Sequence, residues 1–497
     1  MADRLRRSSK FYRFLWEIRR ELFADGFEDE LMASYEPRGQ SPCPPAMLAM
    51  ASLLQRYDGL SDADAVDAAE NDRRWQLVLG TLGQDQSPFG QGSLVRFRTR
   101  MVANDLDKKL VERTVELARS SGAFGWKNLR VALDSSPLQG AGRVEDTWNL
   151  IGRAMSKVVH AVSLALGVDE EEVVQKAGVT VLGADSIKAA LDIDWDDAQA
   201  QHAALNQLLA EASALQEWVQ KRTKKAAAQP PLSDALALLR QVADQDTEPD
   251  PPTGGRKLKK GVAQNRVISV SDPEMKHGRK SRTKLFNGYK RHIAIIDRLV
   301  VATAVEPANV REHEPAERLL EVTNKFGEIE TLDIDRGYLA SPAVERLHRA
   351  GTKVNSRAWQ PTNQGRFTKG DFAILLQDGV VRCPAGKTAP ITRGNQAFFR
   401  EEDCRQCPKK ERCTTAAKRS LSLHRAEDLL IELRQSARTT EGRHELRKRV
   451  AVEHRLARVG AIQGNRARYL GARKNELDLN RAAAIANLLE LARRRCA

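Results

Sequence analysis

Two aspartates stand where a catalytic metal site could form. Asp134 ends the alternating segment LRVALD, and Asp335 ends the segment TLDID. We expect each to close a β-strand, and if the two strands are neighbours, the carboxylates lie together at one edge of a sheet. Carboxylates at close range repel one another unless a divalent cation such as Mg²⁺ or Mn²⁺ neutralises them. Two such ions, about 4 Å apart, support displacement at a phosphodiester. A helix cap or a turn residue is the simpler alternative for either aspartate.

Such a site needs a third acid, and the segment 441–460 offers candidates. On a helical wheel, Glu445, Arg449 and Glu453 follow one another at intervals of four residues. Apolar rows flank this charged row, with Leu446, Val450 and Ala457 on one side and Val452, Leu456 and Val459 on the other. Because buried carboxylates are costly unless they are paired or bound to metal, the pattern favours a buried polar site. A surface ladder of ion pairs is the alternative.

The elements that must position these acids predict an α/β fold. Strand patterns occur at 129–134, 289–296, 299–305, 329–334 and 353–355, and helices at 312–326 and after the Ser341-Pro342 cap. Asp297-Arg298 predicts a tight hairpin between two of these strands. The order of strands and helices predicts a mixed sheet with flanking helices, not a barrel or an all-parallel sheet.

Residues 1–122 are predicted to be helical. Ser61 begins one helix with a capping box to Asp64, and Ser93 begins another. The second helix carries three arginines: Arg96, Arg98 and Arg100. This basic face could enter a DNA groove, or it could be a solvated helix surface.

A second helical block, at 147–246, interrupts the α/β pattern. It closes with a loop rich in proline and glycine at 248–255, and a basic linker follows at 256–260. We expect this insertion to serve packing or assembly.

Four cysteines lie within thirty-one residues, at Cys383, Cys404, Cys407 and Cys413. The C-x2-C step suits tetrahedral zinc, and four thiolates would close the site to water, so this metal would be structural. Unligated thiols are the alternative.

The chain is strongly basic, with a formal net charge of +14 and a pI near 9.5. Nucleic acid is the first partner to expect, although a merely soluble basic surface is the alternative. Residues 439–475 contain ten Lys and Arg against three Asp and Glu, and 276–284 is a second basic segment. Both flank the proposed acids, as phosphate contacts would. No run of eighteen apolar residues and no signal-type leader occurs, so we expect a cytoplasmic protein without a membrane partner.

The acidic motifs resemble those of the DDE superfamily of insertion-sequence transposases. Asp134 at a strand end resembles their first motif, Asp335-Arg336-Gly337-Tyr338 their second, and Arg449-x-x-x-Glu453 their third. The stretches 271–274, 288–290 and 307–309 and the N-terminal helical region are also similar, and some of these transposases carry a comparable cysteine cluster. Leu446 and Gly460 stand where many relatives have tyrosine and lysine.

The resemblance implies an RNase H-like catalytic domain at 123–146, 264–380 and 417–497. It further implies an N-terminal DNA-binding domain at 1–122, a helical insertion with its linker at 147–263 and a zinc-like module at 381–416. Asp134, Asp335 and Glu453 would hold two Mg²⁺ or Mn²⁺ ions, and Arg449 would orient Glu453 or contact a phosphate. The expected DNA contacts are Arg96, Arg98, Arg100, Lys280, Lys284, Lys290, Arg336, Arg447, Arg455 and Arg458.

The implied function is DNA transposition. The protein would bind the ends of an insertion sequence, hydrolyse phosphodiester bonds and join the 3′-hydroxyl ends to target DNA by two-metal-ion catalysis. Its partners would be double-stranded DNA and at least one further copy of the chain, in the cytoplasm of a bacterial cell and on the nucleoid when bound. The alternatives are a metal-dependent nuclease without strand transfer and an inactive, zinc-stabilised DNA-binding protein.

Overall fold

The computed structural model describes residues 9–24, 26–37, 42–184, 186–223, 226–281 and 283–495. The helices are α1 Lys10–Leu22, α2 Phe27–Ala33, α3 Pro45–Asp58, α4 Asp62–Asn71, α5 Arg73–Leu79, α6 Gln91–Ala103, α7 Leu106–Ser120, α8 Thr147–Leu166, α9 Glu170–Ala177, α10 Ile187–Leu191, α11 Ala198–Arg222, α12 Leu232–Gln245, α13 Ala316–Asn324, α14 Pro342–Arg349, α15 Glu401–Arg405, α16 Glu427–Ser436, α17 Thr440–Lys448, α18 Val450–Gln463 and α19 Ala472–Arg495. The strands are β1 Leu129–Gln139, β2 Thr247–Asp250, β3 Gly255–Leu258, β4 Lys276–Arg279, β5 Leu285–Ile296, β6 Leu299–Pro307, β7 Ile329–Ile334, β8 Lys353–Asn355, β9 Ala373–Leu375, β10 Val380–Arg382, β11 Thr388–Pro390, β12 Gln396–Phe398 and β13 Ser420–Ser422.

The N-terminal part of the described chain is helical, as the sequence predicts. The apolar faces of α1 to α7 share one core, in which Trp75 is fully buried. Ser61 caps α4 and exchanges hydrogen bonds with Asp64, so the predicted capping box is confirmed. Helix α6 begins at Gln91, two residues before the predicted start at Ser93.

A mixed sheet forms the centre of the α/β core. Its order is β4-β5-β1-β7-β8, and β6 pairs with β5. Strand β1 is antiparallel to β5 and parallel to β7, and β7 is parallel to β8. The β5–β6 turn is Asp297-Arg298, whose positive φ angles of 41° and 69° suit the predicted tight hairpin. The predicted α/β class with a mixed sheet is confirmed.

Strand β1 is longer than the sequence predicts. Its parallel pairing with β7 stops at Leu133, opposite Ile334, but its antiparallel pairing with β5 continues to Gln139. The prediction that Asp134 ends the strand is therefore wrong. Asp134 lies where β1 leaves its parallel neighbour, and Asp335 does follow the end of β7 as predicted.

Different helices cover the two faces of the sheet. On one face, Val131 and Leu133 of β1 pack with Ala294 of β5 against α13, α14 and α16. On the other, Ile293 and Ile295 of β5 pack against α18 and α19. This alternation is the two-residue period of a strand buried on both sides.

Helix α19 joins the N-terminal helices to the sheet. Leu488 and Leu491 belong to the N-terminal core, whereas Leu479 lies in the core under the sheet. The guanidinium of Arg481 is fully buried between them and donates to Asp478 and to Gln55 of α3. The predicted domain boundaries remain a prediction.

The insertion has a hydrophobic core of its own, built by α8 to α12 and closed by Val267 and Val270. The segment read as a loop and a basic linker is instead a hairpin of β2 and β3, so that prediction is wrong. Asn206 of α11 holds the hairpin by hydrogen bonds to the backbone of Arg256. Among the described residues no single helix is long and apolar enough to cross a membrane, although the bent pair α8 and α9 passes by length and composition.

Candidate active site

The pairing of β1 with β7 brings the two predicted aspartates to adjacent strands. Leu133 lies opposite Ile334, so Asp134 and Asp335 are the next residues of neighbouring parallel strands. Adjacent strands lie about 4.8 Å apart, which sets the scale of the separation between these residues. Asp134 is half-buried and accepts a hydrogen bond of 2.8 Å from the backbone N–H of Ser135. Asp335 is exposed at the rim.

The electrostatics of Asp134 place Glu453 and Arg449 in the same neighbourhood. The pKa of Asp134 is raised to about 6, chiefly by burial and in part by the negative charges of Asp335 and Glu453. The Ser135 N–H and the Arg449 guanidinium act in the opposite direction. Glu453 is exposed and lies in the first turn of α18. The charges of Asp335 and Glu453 thus act on Asp134, and the predicted catalytic role of the three acids stays a prediction.

Arg449 lies at a break between two helices. The segment read as one helix is divided there into α17 and α18. The Arg449 guanidinium donates to Asp335 Oδ1 at 3.2 Å and forms an ion pair with it. The Arg449 guanidinium therefore pairs with Asp335, whereas its link to Glu453 is a backbone hydrogen bond from the Glu453 N–H to the Arg449 carbonyl.

The predicted charged stripe is wrong in part. Val450, assigned to one apolar flank, is 49% exposed, and only the flank with Leu456 and Val459 is buried. Glu445 accepts from Arg130 at 2.9 Å and from Lys448 at 2.5 Å. These bonds lower the pKa of Glu445 to about 2, so this residue is an ion-pair partner and not a third acid of the site.

Arg130 also fixes the strand that carries Asp335. Its Nε and Nη2 donate to the two oxygens of Asp333 at 2.6 and 2.9 Å. Asp333 is buried and also accepts from Asn355 of β8 at 2.9 Å. This bidentate pair satisfies a buried carboxylate and joins β1, β7 and β8.

A polar network behind the aspartates was missed by the sequence reasoning. His292 Nδ1 lies 2.7 Å from the hydroxyl of Tyr338, both fully buried, and Ser135 Oγ donates to Glu312 at 2.9 Å. A Cβ at Gly337 would collide with the Glu312 carboxylate. The D-R-G-Y motif thus packs against Glu312, which follows the P-A-N stretch by only three residues.

The expected DNA-contacting residues divide by exposure. Arg98 is buried and bonded to Asp62, and Arg455 is buried and bonded to the carbonyl of Ala486, so neither is available to DNA in this structure. Lys290 is half-buried and donates to the carbonyl of Val310, and Arg100 is half-buried over the ring of Tyr35. The exposed members of the set are Arg96, Lys280, Lys284, Arg336, Arg447 and Arg458.

A basic cavity of about 600 Å³ adjoins the acids. Arg336 and Arg447, which are close in sequence to Asp335 and Arg449, line it. The other lining residues are Arg357, Ala358, Trp359, Gln360, Leu433, Arg434, Ala437, Arg443 and Leu446. Its arginines and its tryptophan suit an anion attached to an aromatic group.

The four clustered cysteines meet in a small module built by β9 to β13 and α15. All four are half-buried free thiols around a cavity of about 30 Å³. Burial raises the pKa of Cys413, and the charges of the other three thiols act on it in the same direction.

Neither set of candidate ligands has closed around a metal position. Among the residues that the structure describes, no three His, Cys, Asp or Glu side chains stand close enough together to hold an ion.

Comparisons with known families agree with these observations. A family described as Transposase DDE domain matches residues 382–492, and one described as Transposase domain (DUF772) matches residues 3–100. The first match contains Glu453 and the four cysteines, but neither Asp134 nor Asp335. No curated protein and no solved structure matches the chain.

The two matches are to transposase domains, and they lie towards the two ends of the chain. They support the resemblance to DDE-superfamily insertion-sequence transposases that the motifs show, which is thereby confirmed. A transposase DDE domain is typical of metal-dependent enzymes that process nucleic acid.

Proposed function

We propose that this transposase cuts and joins DNA at Asp134, Asp335 and Glu453 on an RNase H-like core. The observation that supports the proposal is that Asp134 and Asp335 follow paired residues of the adjacent parallel strands β1 and β7, with the charge of Glu453 also acting on Asp134. The sheet supports it, because β1, β5 and β6 are successive antiparallel neighbours and β7 and β8 add in parallel on the other side. This is the arrangement expected of an RNase H-like sheet.

The residues present fit a pair of hard divalent cations. The carboxylate oxygens are the ligands that Mg²⁺ and Mn²⁺ prefer. The pKa of Asp134 is raised mainly by burial and in part by the charges of Asp335 and Glu453, and a divalent cation would offset both. Asp134, Asp335 and Glu453 would hold the ions. When bound, the ions would activate the attacking oxygen and stabilise the leaving one.

The chain's own residues bind and orient the DNA around these acids. The Arg336 and Arg447 guanidiniums in the basic cavity would hold the backbone phosphates beside Asp335. Arg449 forms an ion pair with Asp335. If a metal ion took the place of the guanidinium at Asp335, Arg449 would be free to contact a DNA phosphate. Arg96 on α6 would contact the element ends.

We further propose that Cys383, Cys404, Cys407 and Cys413 hold a structural zinc ion. Four thiols in one small module supply a closed tetrahedral ligand set. Their half-burial leaves no room for a substrate, which separates this site from the acids.

The test uses a plasmid that carries the gene with its flanking genomic DNA. Wild type should cut both ends with Mg²⁺ and not with EDTA. Asp335→Asn and Glu453→Gln should keep DNA binding but cut at least about a thousandfold more slowly, since each removes a ligand charge. Asp378→Asn, an exposed aspartate of the cysteine module, is the matched control and should cut like wild type.

Pre-cut ends mixed with a target plasmid separate the rival functions. Joined products are expected from a transposase. Cutting without joining would show a nuclease, and DNA binding that is indifferent to Mg²⁺, without cutting, would show an inactive binding protein. Full cutting by Asp335→Asn would remove this residue from the mechanism.

A further inference from the structure

A buried arginine under the site has only neutral hydrogen-bond partners in the described structure. Arg291 of β5 is 4% exposed. Its Nε donates to Ser136 Oγ at 2.6 Å, and its Nη1 donates to Gln463 Oε1 at 3.0 Å and to the Gly464 carbonyl at 2.9 Å. Burial lowers its pKa to about 10. Burying a guanidinium without a carboxylate partner is unfavourable, so this arrangement calls for a reason.

The partners of Arg291 belong to the two elements that carry distant acids. Ser136 lies two residues beyond Asp134 on β1, on the same face of the strand because side chains alternate. Gln463 ends α18, whose first turn holds Glu453. One side chain therefore connects the Asp134 strand to the Glu453 helix.

The contact also fixes how α18 is rotated about its axis. A Cβ at Gly460 would lie 2.8 Å from Arg291 Nη2, so the guanidinium rests directly against the helix backbone there. Glu453 precedes Gly460 by seven residues, which at about 100° per residue falls roughly 20° short of two full turns. The helix face pressed on Arg291 is thus the face that presents Glu453.

Other links hold α18 to α19 and hold the loop after α18 to the sheet. Arg455 of α18 donates to the carbonyl of Ala486 in α19, and Leu456 and Val459 are buried in the core under the sheet. In the loop, Gln139 of β1 exchanges backbone hydrogen bonds with Asn465 and Ala467. Arg291 adds a direct contact between the C-terminal end of α18 and β1 beside Asp134.

We propose that Arg291 is a positioning residue that orients Glu453 towards Asp134 by clamping α18 to β1. The inference deepens the function proposed above and depends on it. A rotation of α18 by about 20° would move a carboxylate about 6 Å from the axis by roughly 2 Å. A misplacement of about 1 Å can slow a reaction on the order of a hundredfold.

Arg291→Gln tests the clamp directly. We expect DNA cutting to slow about a hundredfold in kcat, with KM for the DNA changed less than about threefold. Mn²⁺ binding without DNA, followed by electron paramagnetic resonance, should weaken about tenfold or more. Arg291→Lys, which keeps one donor, should recover part of both. Arg481→Gln removes a fully buried arginine whose partners Gln55, Tyr469 and Asp478 lie outside β1 and α18. It should reduce stability while leaving kcat and Mn²⁺ binding within about twofold of wild type.

If Arg291→Gln fails to fold, Gln463→Ala replaces it in the test, because this change removes only one hydrogen-bond partner of Arg291. A second design uses Gly460. Gly460→Ala should impair cutting by displacing the guanidinium, but should add little in an Arg291→Ala background, where the space is free. If Gly460→Ala slows DNA cutting by the same factor in wild type and in the Arg291→Ala background, the proposed clamp is refuted.

The outcomes separate this inference from the proposed function. Wild type that never cuts with Mg²⁺ would end the proposed function. Wild type that cuts, together with Arg291→Gln that cuts and binds Mn²⁺ equally well, would end the inference alone.

Discussion

Replacing Asp134 by Asn should stabilise the metal-free protein while abolishing cleavage. In the folded chain the pKa of Asp134 is raised from 3.8 to about 6, chiefly by burial and then by the charges of Asp335 and Glu453. A raised carboxyl pKa means that the folded state binds the proton more tightly than the unfolded state does. Stability is therefore lost as the pH rises from about 4 through about 6, and the loss is complete at pH 7.5.

The size of the loss follows from the shift. About two pKa units correspond to roughly 3 kcal/mol, an upper figure for a side chain that is only partly buried. Asn keeps an oxygen for the Ser135 N–H and removes the charge. We expect Asp134→Asn to be more stable than wild type by about 1 to 3 kcal/mol at pH 7.5, and equal to it at pH 4.

The measurement is urea unfolding in EDTA at pH 4, 5.5 and 7.5. Hydrogen exchange of peptides from β1 and β7 isolates the transition of the core sheet from those of the other parts. Added Mg²⁺ should narrow the difference at pH 7.5 by stabilising wild type alone. A variant no more stable than wild type at pH 7.5, or equally stabilised at pH 4, would refute the argument that repulsion and burial strain this carboxylate.

Three further outcomes are expected elsewhere in the core. Arg130→Ala should lower the urea-unfolding free energy by roughly 2 to 3 kcal/mol, because Asp333, 3% exposed, loses its bidentate partner while Arg130 itself is one-third exposed. Burial lowers the pKa of His292 to about 3, so between about pH 6.5 and pH 3 only the unfolded state takes up a proton on this side chain. Wild type should therefore lose stability as the pH falls from 6.5 to 3, and the melting temperature of His292→Gln should depend less on pH. Elemental analysis should find zinc in wild type, and Cys404→Ser should lose it and expose residues 381–416 to protease.

Local chemistry explains which elements could be predicted from sequence. The β5–β6 turn needs two residues that accept positive φ, and Asp297 with Arg298 between alternating strands signalled it. Ser341 followed by Pro342 marks the start of α14, and the Ser341 hydroxyl accepts from the N–H of Ala343. In both places the determining contacts lie within a few residues, so a pattern read along the chain suffices.

Strand β1 shows why other boundaries could not be predicted. Ser135-Ser136-Pro137 reads as a strand end because proline lacks a donor for the ladder. Beyond Leu133, however, β5 is the only named strand that pairs with β1, and on the opposite edge a bridge of Gln139 with Arg466 follows two residues after Pro137. The missing N–H of Pro137 therefore interrupts no strand ladder. The β2–β3 hairpin was missed for a similar reason, since Asn206 of a distant helix holds it.

The segment 441–460 shows that residue spacing can predict which residues lie near a site but not which partners they bind. The helical wheel put Glu445, Arg449 and Glu453 on one stripe, and each does face the core sheet or its rim. The break at Arg449 then separates them: Glu445 binds Arg130, and Arg449 binds Asp335. Of these three residues, Glu453 alone has no ion-pair partner within the described part of the chain. One continuous helix through Arg449 would place all three charges on one face at four-residue intervals. Because the chain forms two helices instead, the orientation of α18 does not follow from that of α17, and Gly460 and Arg291 can contribute to it. In the proposed clamp, the direction of Glu453 depends on Arg291, a strand residue that is distant in sequence, which no periodicity within the segment could reveal.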